Sequence, residues 1–274
     1  MRILILGGSG YVGQAIWRRL QMSEDVYGTY HTKRIEYKEN EKMFFYDLVD
    51  QECLKQILVT VRPQVIISCL RGDYSLQLKA HEKVAMYLAE NDGKIIYFST
   101  ANVFDAKKDK PHYEMDETGS ETDYGKFKIQ CETLLNEKLG TDCVIVRIPA
   151  VWGKGCPRIL KLKEYAKYQN PIQTYENIAT NYTLDTQIAS WIEYIIRYSL
   201  KGTFHIGTED TYDYTRFQVE LANKLKLETL VLEKEVLPEL CYQAVLPGRE
   251  EIPKELRLTV KDVIAYLKEV EKGE

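Results

Sequence analysis

Residues 1–20 read MRILILGGSGYVGQAIWRRL. Ile3 to Leu6 is an unbroken aliphatic run stopped by glycine, the pattern of a strand buried on both faces. Val12, Ile16 and Leu20 then recur at helical spacing. Between strand and helix stand Gly7, Gly10 and Gly13, three apart. Glycine at the first position permits a tight turn. At the second it lets the backbone approach a pyrophosphate, and at the third it lets the helix pack closely on the strand. The first helical turn, with Tyr11 and Val12, offers free N–H groups and the positive end of the helix dipole. The stretch predicts a dinucleotide-binding turn.

The chain then repeats the alternation. Strands are expected at 26–30, 43–46, 65–69, 95–98 and 143–148, and helices at 51–61, 81–91 and 123–139. Short aliphatic strands alternating with helices predict an α/β fold, a Rossmann-type doubly wound parallel sheet. After Pro149 the pattern changes. Residues 153–157 read as loop, 171–181 as irregular and polar, and 237–253 as loop-rich. Helices at 185–198, 217–225 and 260–270 and a strand at 203–206 complete the chain. This divides it into a dinucleotide-binding domain at 1–150, to which 181–210 returns, and a smaller C-terminal substrate lobe formed by 151–180 and 211–274.

Bulk properties remove several functions. Lys and Arg number 37 against 41 Asp and Glu, a formal net charge of -4, so nothing draws the chain to nucleic acid or to an anionic membrane. Six cysteines contain no C-x-x-C pair, and four histidines show no ligand spacing, which argues against a disulfide framework or a metal site. The first apolar run ends at Leu6, too short for a signal segment or a membrane span, and the expected location is cytoplasmic. The tripeptide Arg71-Gly72-Asp73 reads as loop without a role.

The second strand ends in Thr29-Tyr30-His31-Thr32-Lys33-Arg34. It lacks the acid that would hold ribose hydroxyls. Lys33 and Arg34 suit a 2′-phosphate, which favours NADP(H) over the alternative, NAD(H). A third element of the site follows the strand at 95–98. Ser99 and Thr100 end it, where ligands meet a parallel sheet. Tyr124 opens the long helix and is the only tyrosine of 20 with a lysine four residues later, Lys128. An i, i+4 pair shares one helix face. A free phenol, with a pKa of about 10, exchanges protons poorly at neutral pH, and a neighbouring ammonium would favour the phenolate.

The G-x-x-G-x-x-G spacing of GGSGYVG resembles the extended short-chain dehydrogenase/reductase superfamily. YFSTANVFD, YGKFKIQCE and VIVRIPAVWGKG are similar to the matching stretches of dTDP-4-dehydrorhamnose reductases, which reduce a nucleotide-linked 4-ketosugar. The resemblance implies catalytic roles for Thr100, Tyr124 and Lys128. It implies coenzyme contacts from Asp47 and Leu48 near the adenine, from Cys69, Leu70 and Ser99, and from Ile148 within a nicotinamide-facing segment, 147–151. Asn102, Trp152 and Arg158 would meet the substrate, with Arg158, Lys161 and Lys163 set against its diphosphate or else on an exposed helix face. A homodimer through the Tyr124 helix would use Phe127, Cys131, Leu134 and Leu135, which would equally suit a core face.

The departures are specific. Ala101-Asn102 replace the family's Asp-Tyr pair, Ala150 replaces a tryptophan, and Ser68-Cys69-Leu70 replace Asn-Ala-Ala. Ala101 also removes the acid that a 4,6-dehydratase needs. The expected activity is NADP(H)-dependent reduction of a nucleotide-sugar ketone. The alternatives are an epimerase using the same triad and a non-catalytic coenzyme-binding regulatory protein.

Overall fold

A computed structural model describes residues 1–32, 37 and 40–271. Its centre is a seven-stranded parallel sheet in the order β11-β6-β5-β4-β1-β2-β3. The strands are β1 (Arg2–Leu6), β2 (Asp25–Tyr30), β3 (Met43–Phe45), β4 (Val65–Ser68), β5 (Lys94–Thr100), β6 (Cys143–Ile148) and β11 (Gly202–His205). The helices that connect them are α1 (Tyr11–Leu20), α2 (Gln51–Val61), α3 (Tyr74–Glu90), α4 (Asp123–Leu139) and α6 (Asp185–Arg197).

Strand periodicity divides the core. Ile3 and Ile5 join Ile16, Leu20, Ile188 and Trp191 on the α1/α6 face. Leu4 and Leu6 join Leu54, Val84 and Leu135 on the opposite face, under α2, α3 and α4. Successive side chains of a strand point to opposite faces, so a sheet covered on both sides must be apolar throughout. From β1 the chain winds outward one way through β2 and β3, and the other way through β4, β5, β6 and β11. The order reverses between β1 and β4, and a ligand crevice opens at the carboxyl ends of the strands at such a point.

The remaining elements pack around a third apolar cluster that includes Trp152, Tyr182, Phe217 and Val263. They are β7 (Ala150–Trp152), α5 (Pro157–Tyr168), β8 (Pro171–Tyr175), β9 (Ile178–Thr180), β10 (Tyr182–Leu184), β12 (Tyr212–Asp213), α7 (Tyr214–Leu225), β13 (Val231–Glu235), β14 (Cys241–Gln243) and α8 (Val260–Glu271).

Several expectations are corrected. Residues 171–181 are not irregular: they form β8 and β9, which pair with β13 and with β12 and β14, partners far along the chain. The loop-rich stretch 237–253 contains β14. Helix α3 begins at Tyr74, seven residues before the expected start, because the Asp73 carboxylate caps it by accepting from the Leu76 N–H. Of the two roles left open for this face of α4, dimer or core, these side chains take the core one. Phe127, Cys131 and Leu135 are buried and Leu134 half-buried, while the outward positions Lys126, Gln130, Thr133 and Glu137 are polar. Among the described residues no helix is long and apolar enough to cross a membrane, and no cluster of His, Cys, Asp or Glu could hold a metal ion.

Candidate active site

The glycine loop takes its shape from contacts that exclude a side chain. Gly7 has φ +80, and its N–H donates to the Thr29 hydroxyl at 2.8 Å. A Cβ on Gly13 would stand 2.3 Å from the Gly7 carbonyl oxygen, so α1 lies directly against the turn. Gly10 caps α1 with no side-chain hydrogen bond to its first N–H groups. These donors therefore face the crevice with no protein acceptor from the cap.

A cavity of about 680 Å3 opens above the strand ends. Gly10, Tyr11, Val12 and Gly13 form its edge after β1, and Gly7 stands behind them. Cys69 and Leu70 follow β4, Ser99 and Thr100 end β5, and Ile148 ends β6; all five line the cavity, as do Tyr124 and Lys128 of α4. On the far side are Arg158 of α5, Asn181, Tyr182, Tyr214 and Tyr242. Four strand ends, helix α4 and four segments from later in the chain thus bring most of the expected site residues to one space.

Thr100 is 8% exposed. Its hydroxyl donates to Asn102 Oδ1 at 3.0 Å and accepts from the Asn102 N–H at 3.3 Å, so it caps the following turn while remaining in the cavity wall. Asn102 lines the cavity beside it. The Ser99 hydroxyl is buried and has no hydrogen-bond partner among the described residues. Tyr124 is 38% exposed at the start of α4, where the Thr122 hydroxyl accepts from the Gly125 N–H. Burial raises the proton affinity of its phenol; the Thr100 hydroxyl and the Arg71 guanidinium pull it back.

Lys128 is buried. Its ammonium donates to the Phe98 carbonyl at 2.8 Å and lies 4.7 Å from the centre of the Tyr97 ring, against 6.0 Å for the Tyr124 ring. Burial lowers its pKa to about 8. Such an amine is poised to change charge in the neutral-to-alkaline range.

Other expected residues fall elsewhere. Trp152 does not line the cavity. It is buried in the third apolar cluster, 5.1 Å from the Phe217 ring centre, because its large apolar surface fills the core between β10 and α7. Its link to the cavity is indirect, since the Arg158 guanidinium lies 6.0 Å from its ring. Arg147 is likewise internal, paired with Glu132 at 2.7 Å. Of the three basic residues after Trp152, only Arg158 lines the cavity. Lys163 pairs with Glu271 at 2.6 Å, and Lys161 lies over Tyr165. Asp47 lies outside the cavity in a separate hollow with Phe45 and Cys53, and Leu48 packs on the core beneath α2. Lys33 and Arg34 lie outside the described residues.

Arg71, Tyr214 and Tyr242 were missed. Arg71 carried a readable signal, its position two residues after Cys69 at a strand's carboxyl end. The two tyrosines carried none, because β12 and β14, which bring them in, are set by pairing with β9.

Residues 1–263 match the family described as the RmlD substrate binding domain. The chain belongs to that family. It is 28% identical over 179 residues to the methionine adenosyltransferase 2 subunit beta of Mus musculus, covering 60% of this chain and 50% of the mouse protein. The match thus spans only half of that relative's length. The dTDP-4-dehydrorhamnose reductase of Bacillus anthracis, solved with NADP, superposes with a TM-score of 0.77 at 17% identity, over 96% of this chain and 97% of that one. The Bordetella bronchiseptica enzyme WbmH, solved with NAD+, gives 0.80 at 17% identity, over 99% and 98%. At such identities the superpositions establish a shared Rossmann-type fold.

Proposed function

We propose that this chain is an NADP(H)-dependent reductase of a nucleotide-linked 4-ketosugar. One observation carries the reading: Thr100, Tyr124 and Lys128 line the same cavity as the uncapped glycine loop. The donor set suits a dinucleotide. The free N–H groups of α1 would hold the pyrophosphate, Ser99 offers an unpartnered hydroxyl, and Cys69, Leu70 and Ile148 would flank the rings. Asp47 and Leu48 would reach the adenine end, and Lys33 and Arg34 a 2′-phosphate. The nicotinamide, when bound, supplies the hydride.

The chain's own residues would do the rest. Tyr124 would give a proton to the carbonyl oxygen as it gains charge, with the Thr100 hydroxyl orienting that oxygen. Lys128 would bind the nicotinamide ribose and keep the local field positive. Asn102 and Arg158 would contact the substrate, Arg158 as a charge partner for its diphosphate. In this reading 1–150 with 181–210 carry the coenzyme, and 151–180 with 211–274 carry the sugar nucleotide.

A second reading is supported by the relation to a methionine adenosyltransferase subunit and by the loss of the Asp-Tyr pair at Ala101-Asn102. Here the chain binds the coenzyme and regulates a partner without turnover. NADPH oxidation with a panel of nucleotide 4-ketosugars tests both. The reductase gives one NADPH oxidised per ketone, and Tyr124→Phe lowers kcat by roughly 100- to 10,000-fold. Product formation without net NADPH loss would indicate an epimerase. Tight NADPH binding with no turnover on any ketone would favour the regulatory reading.

A further inference from the structure

On the α2/α3/α4 side of the sheet the core holds a group of buried polar side chains: Ser68 at the end of β4, His81 on α3, Tyr97 on β5 and Cys131 on α4. None of them lines the cavity. Burying such groups costs free energy unless they are paired or serve a purpose. His81 Nε2 lies 2.7 Å from the Ser68 hydroxyl oxygen and Nδ1 lies 3.9 Å from Cys131 Sγ, so both ring nitrogens are engaged. The His81 and Tyr97 rings meet edge to face, with centres 5.0 Å apart and planes at 85°. Burial lowers the pKa of His81 to about 3, which keeps the imidazole neutral. The Tyr97 hydroxyl makes no hydrogen bond of ordinary length among the described residues, and the Cys131 thiol lies against it.

Beside this group stands Lys128, which does line the cavity. An ammonium has three N–H donors. One goes to the Phe98 carbonyl at 2.8 Å. The ammonium also stands over the Tyr97 ring, 4.7 Å from its centre, nearer than to the Phe127 ring at 5.6 Å or the Tyr124 ring at 6.0 Å. Among the described residues no carboxylate pairs with it. Glu132, one turn along α4, gives both oxygens to Arg147, at 3.1 and 2.7 Å. An aromatic face is the ordinary means of stabilising a desolvated cation that lacks a counter-ion. With the carbonyl and the ring face taken, one N–H is left for the cavity.

We propose that Tyr97 is the positioning residue of Lys128: its ring face, held in place by His81 and Ser68, seats the ammonium and keeps it charged and aimed into the cavity. The titratable and charged groups around that ammonium are Cys69 after β4, Arg71 in the next turn, Tyr97 on β5, and Tyr124, Cys131 and Glu132 on its own helix, with neutral His81 behind them on α3. Burial pushes the Tyr97 phenol well above its usual range, so the ring stays neutral while Lys128 titrates. His81 has no charge to repel the ammonium and no free ring nitrogen to compete for it. This role rests on the reading of Lys128 as a coenzyme ligand, but its first test needs neither coenzyme nor substrate.

The experiment is an NMR titration of the coenzyme-free protein carrying 13Cε-labelled lysine, with the Lys128 signal assigned by its loss in Lys128→Met. Tyr97→Leu removes the ring face and should lower the Lys128 midpoint by about one pH unit, while Tyr97→Phe keeps the face and should leave it within about 0.3 unit. A purely structural role for Tyr97 gives the opposite sign, because a loosened core admits water and raises the midpoint toward that of a free lysine. If Tyr97→Leu does not fold, phenylalanines with one, two and three ring fluorines at position 97 decide the matter. They keep the shape and weaken the negative face stepwise, so the midpoint should fall stepwise. A flat fluorine series, or a midpoint that rises or stays put in Tyr97→Leu, would overturn the proposal. At pH 8 the lost charge in Tyr97→Leu should also weaken NADPH binding by roughly fivefold, with Tyr97→Phe unaffected. If none of these proteins binds NADPH while the midpoints move as expected, the coenzyme reading falls and the seating of Lys128 on Tyr97 stands.

Discussion

The two walls of the cavity are built by different means. The wall proposed to face the coenzyme consists of strand ends and one helix start, and its shape comes from main chain: Gly13 packs on Gly7, and the N–H of Gly7 meets Thr29. The opposite wall rests on strands of three residues or fewer, β9, β10, β12 and β14. Such strands cannot hold themselves together. They are tied by side chains that reach backbone far away, as Asn177 does to Leu237 and Glu239, and Asn181 to Thr208 and Val245. Chemistry common to a fold sits on the rigid wall, while specificity sits where loops can vary.

The largest effect should come from breaking the main-chain wall. Gly13→Ala drives a Cβ to 2.3 Å from the Gly7 carbonyl oxygen and 2.9 Å from the Gly8 Cα, both backbone atoms that cannot rotate aside. Unfolding free energy should fall by roughly 3 kcal/mol, as overpacking of this kind costs. NADPH binding, followed by fluorescence, should be lost even at temperatures where the variant is folded. A variant that binds NADPH with unchanged affinity would show that the close approach of α1 to the turn is dispensable.

The two walls differ in the same way in how far they could be read. Gly7, Gly10 and Gly13, the strand end at Thr100 and the Tyr124–Lys128 pair are local patterns. Each needs only its neighbours and a period, and helix α4 and strand β6 appeared with the bounds expected. The true start of helix α3 carries no periodic signal, because it depends on a capping carboxylate, Asp73, inside a tripeptide whose sequence reads as loop. Strand β9 was invisible because three residues carry no period and its partners lie about 30 and 60 residues ahead. Trp152 was assigned to the substrate because sequence gives proximity along the chain, not the direction of a side chain.

The tied wall should yield by a smaller amount at a single point. Asn181 is 1% exposed; it donates to the Val245 carbonyl at 2.7 Å and to the Thr208 carbonyl at 3.2 Å, and accepts from the Val245 N–H at 3.1 Å. Asn181→Ala leaves these backbone groups without their partner and should cost about 2 kcal/mol in chemical denaturation. Because Asn181 ties down the Val245 backbone beside Tyr242 and Ala244, which line the cavity from the segment proposed to carry the sugar nucleotide, KM for the ketone should rise while NADPH affinity stays within about twofold. A matching loss of NADPH affinity would mean that the two walls are not independent.

The smallest effect lies where the walls meet, and it has the opposite sign. Lys128 is held as a buried ammonium whose pKa is lowered to about 8 by burial, partly offset by the nearby thiols of Cys131 and Cys69 and by Glu132. An unfolded lysine titrates near its ordinary value, so between pH 8 and about 10.4 the unfolded chain binds more protons than the folded one. Stability therefore carries a rising contribution from this group with pH across that window. Below pH 8 both states are protonated and the whole burial penalty, about 3 kcal/mol, is present. Lys128→Met removes that penalty and gives up the bond to the Phe98 carbonyl and the contact with the Tyr97 face, which together return about 2 kcal/mol. The coenzyme-free variant should thus be more stable than the unsubstituted protein by about 1 kcal/mol at pH 7, and the difference should vanish or reverse near pH 10. A destabilised variant at pH 7 would mean that the ammonium's bonds at the sheet end outweigh its burial. A stabilised one would identify Lys128 as a residue kept for the site at the expense of the fold, as functional groups in a packed interior commonly are.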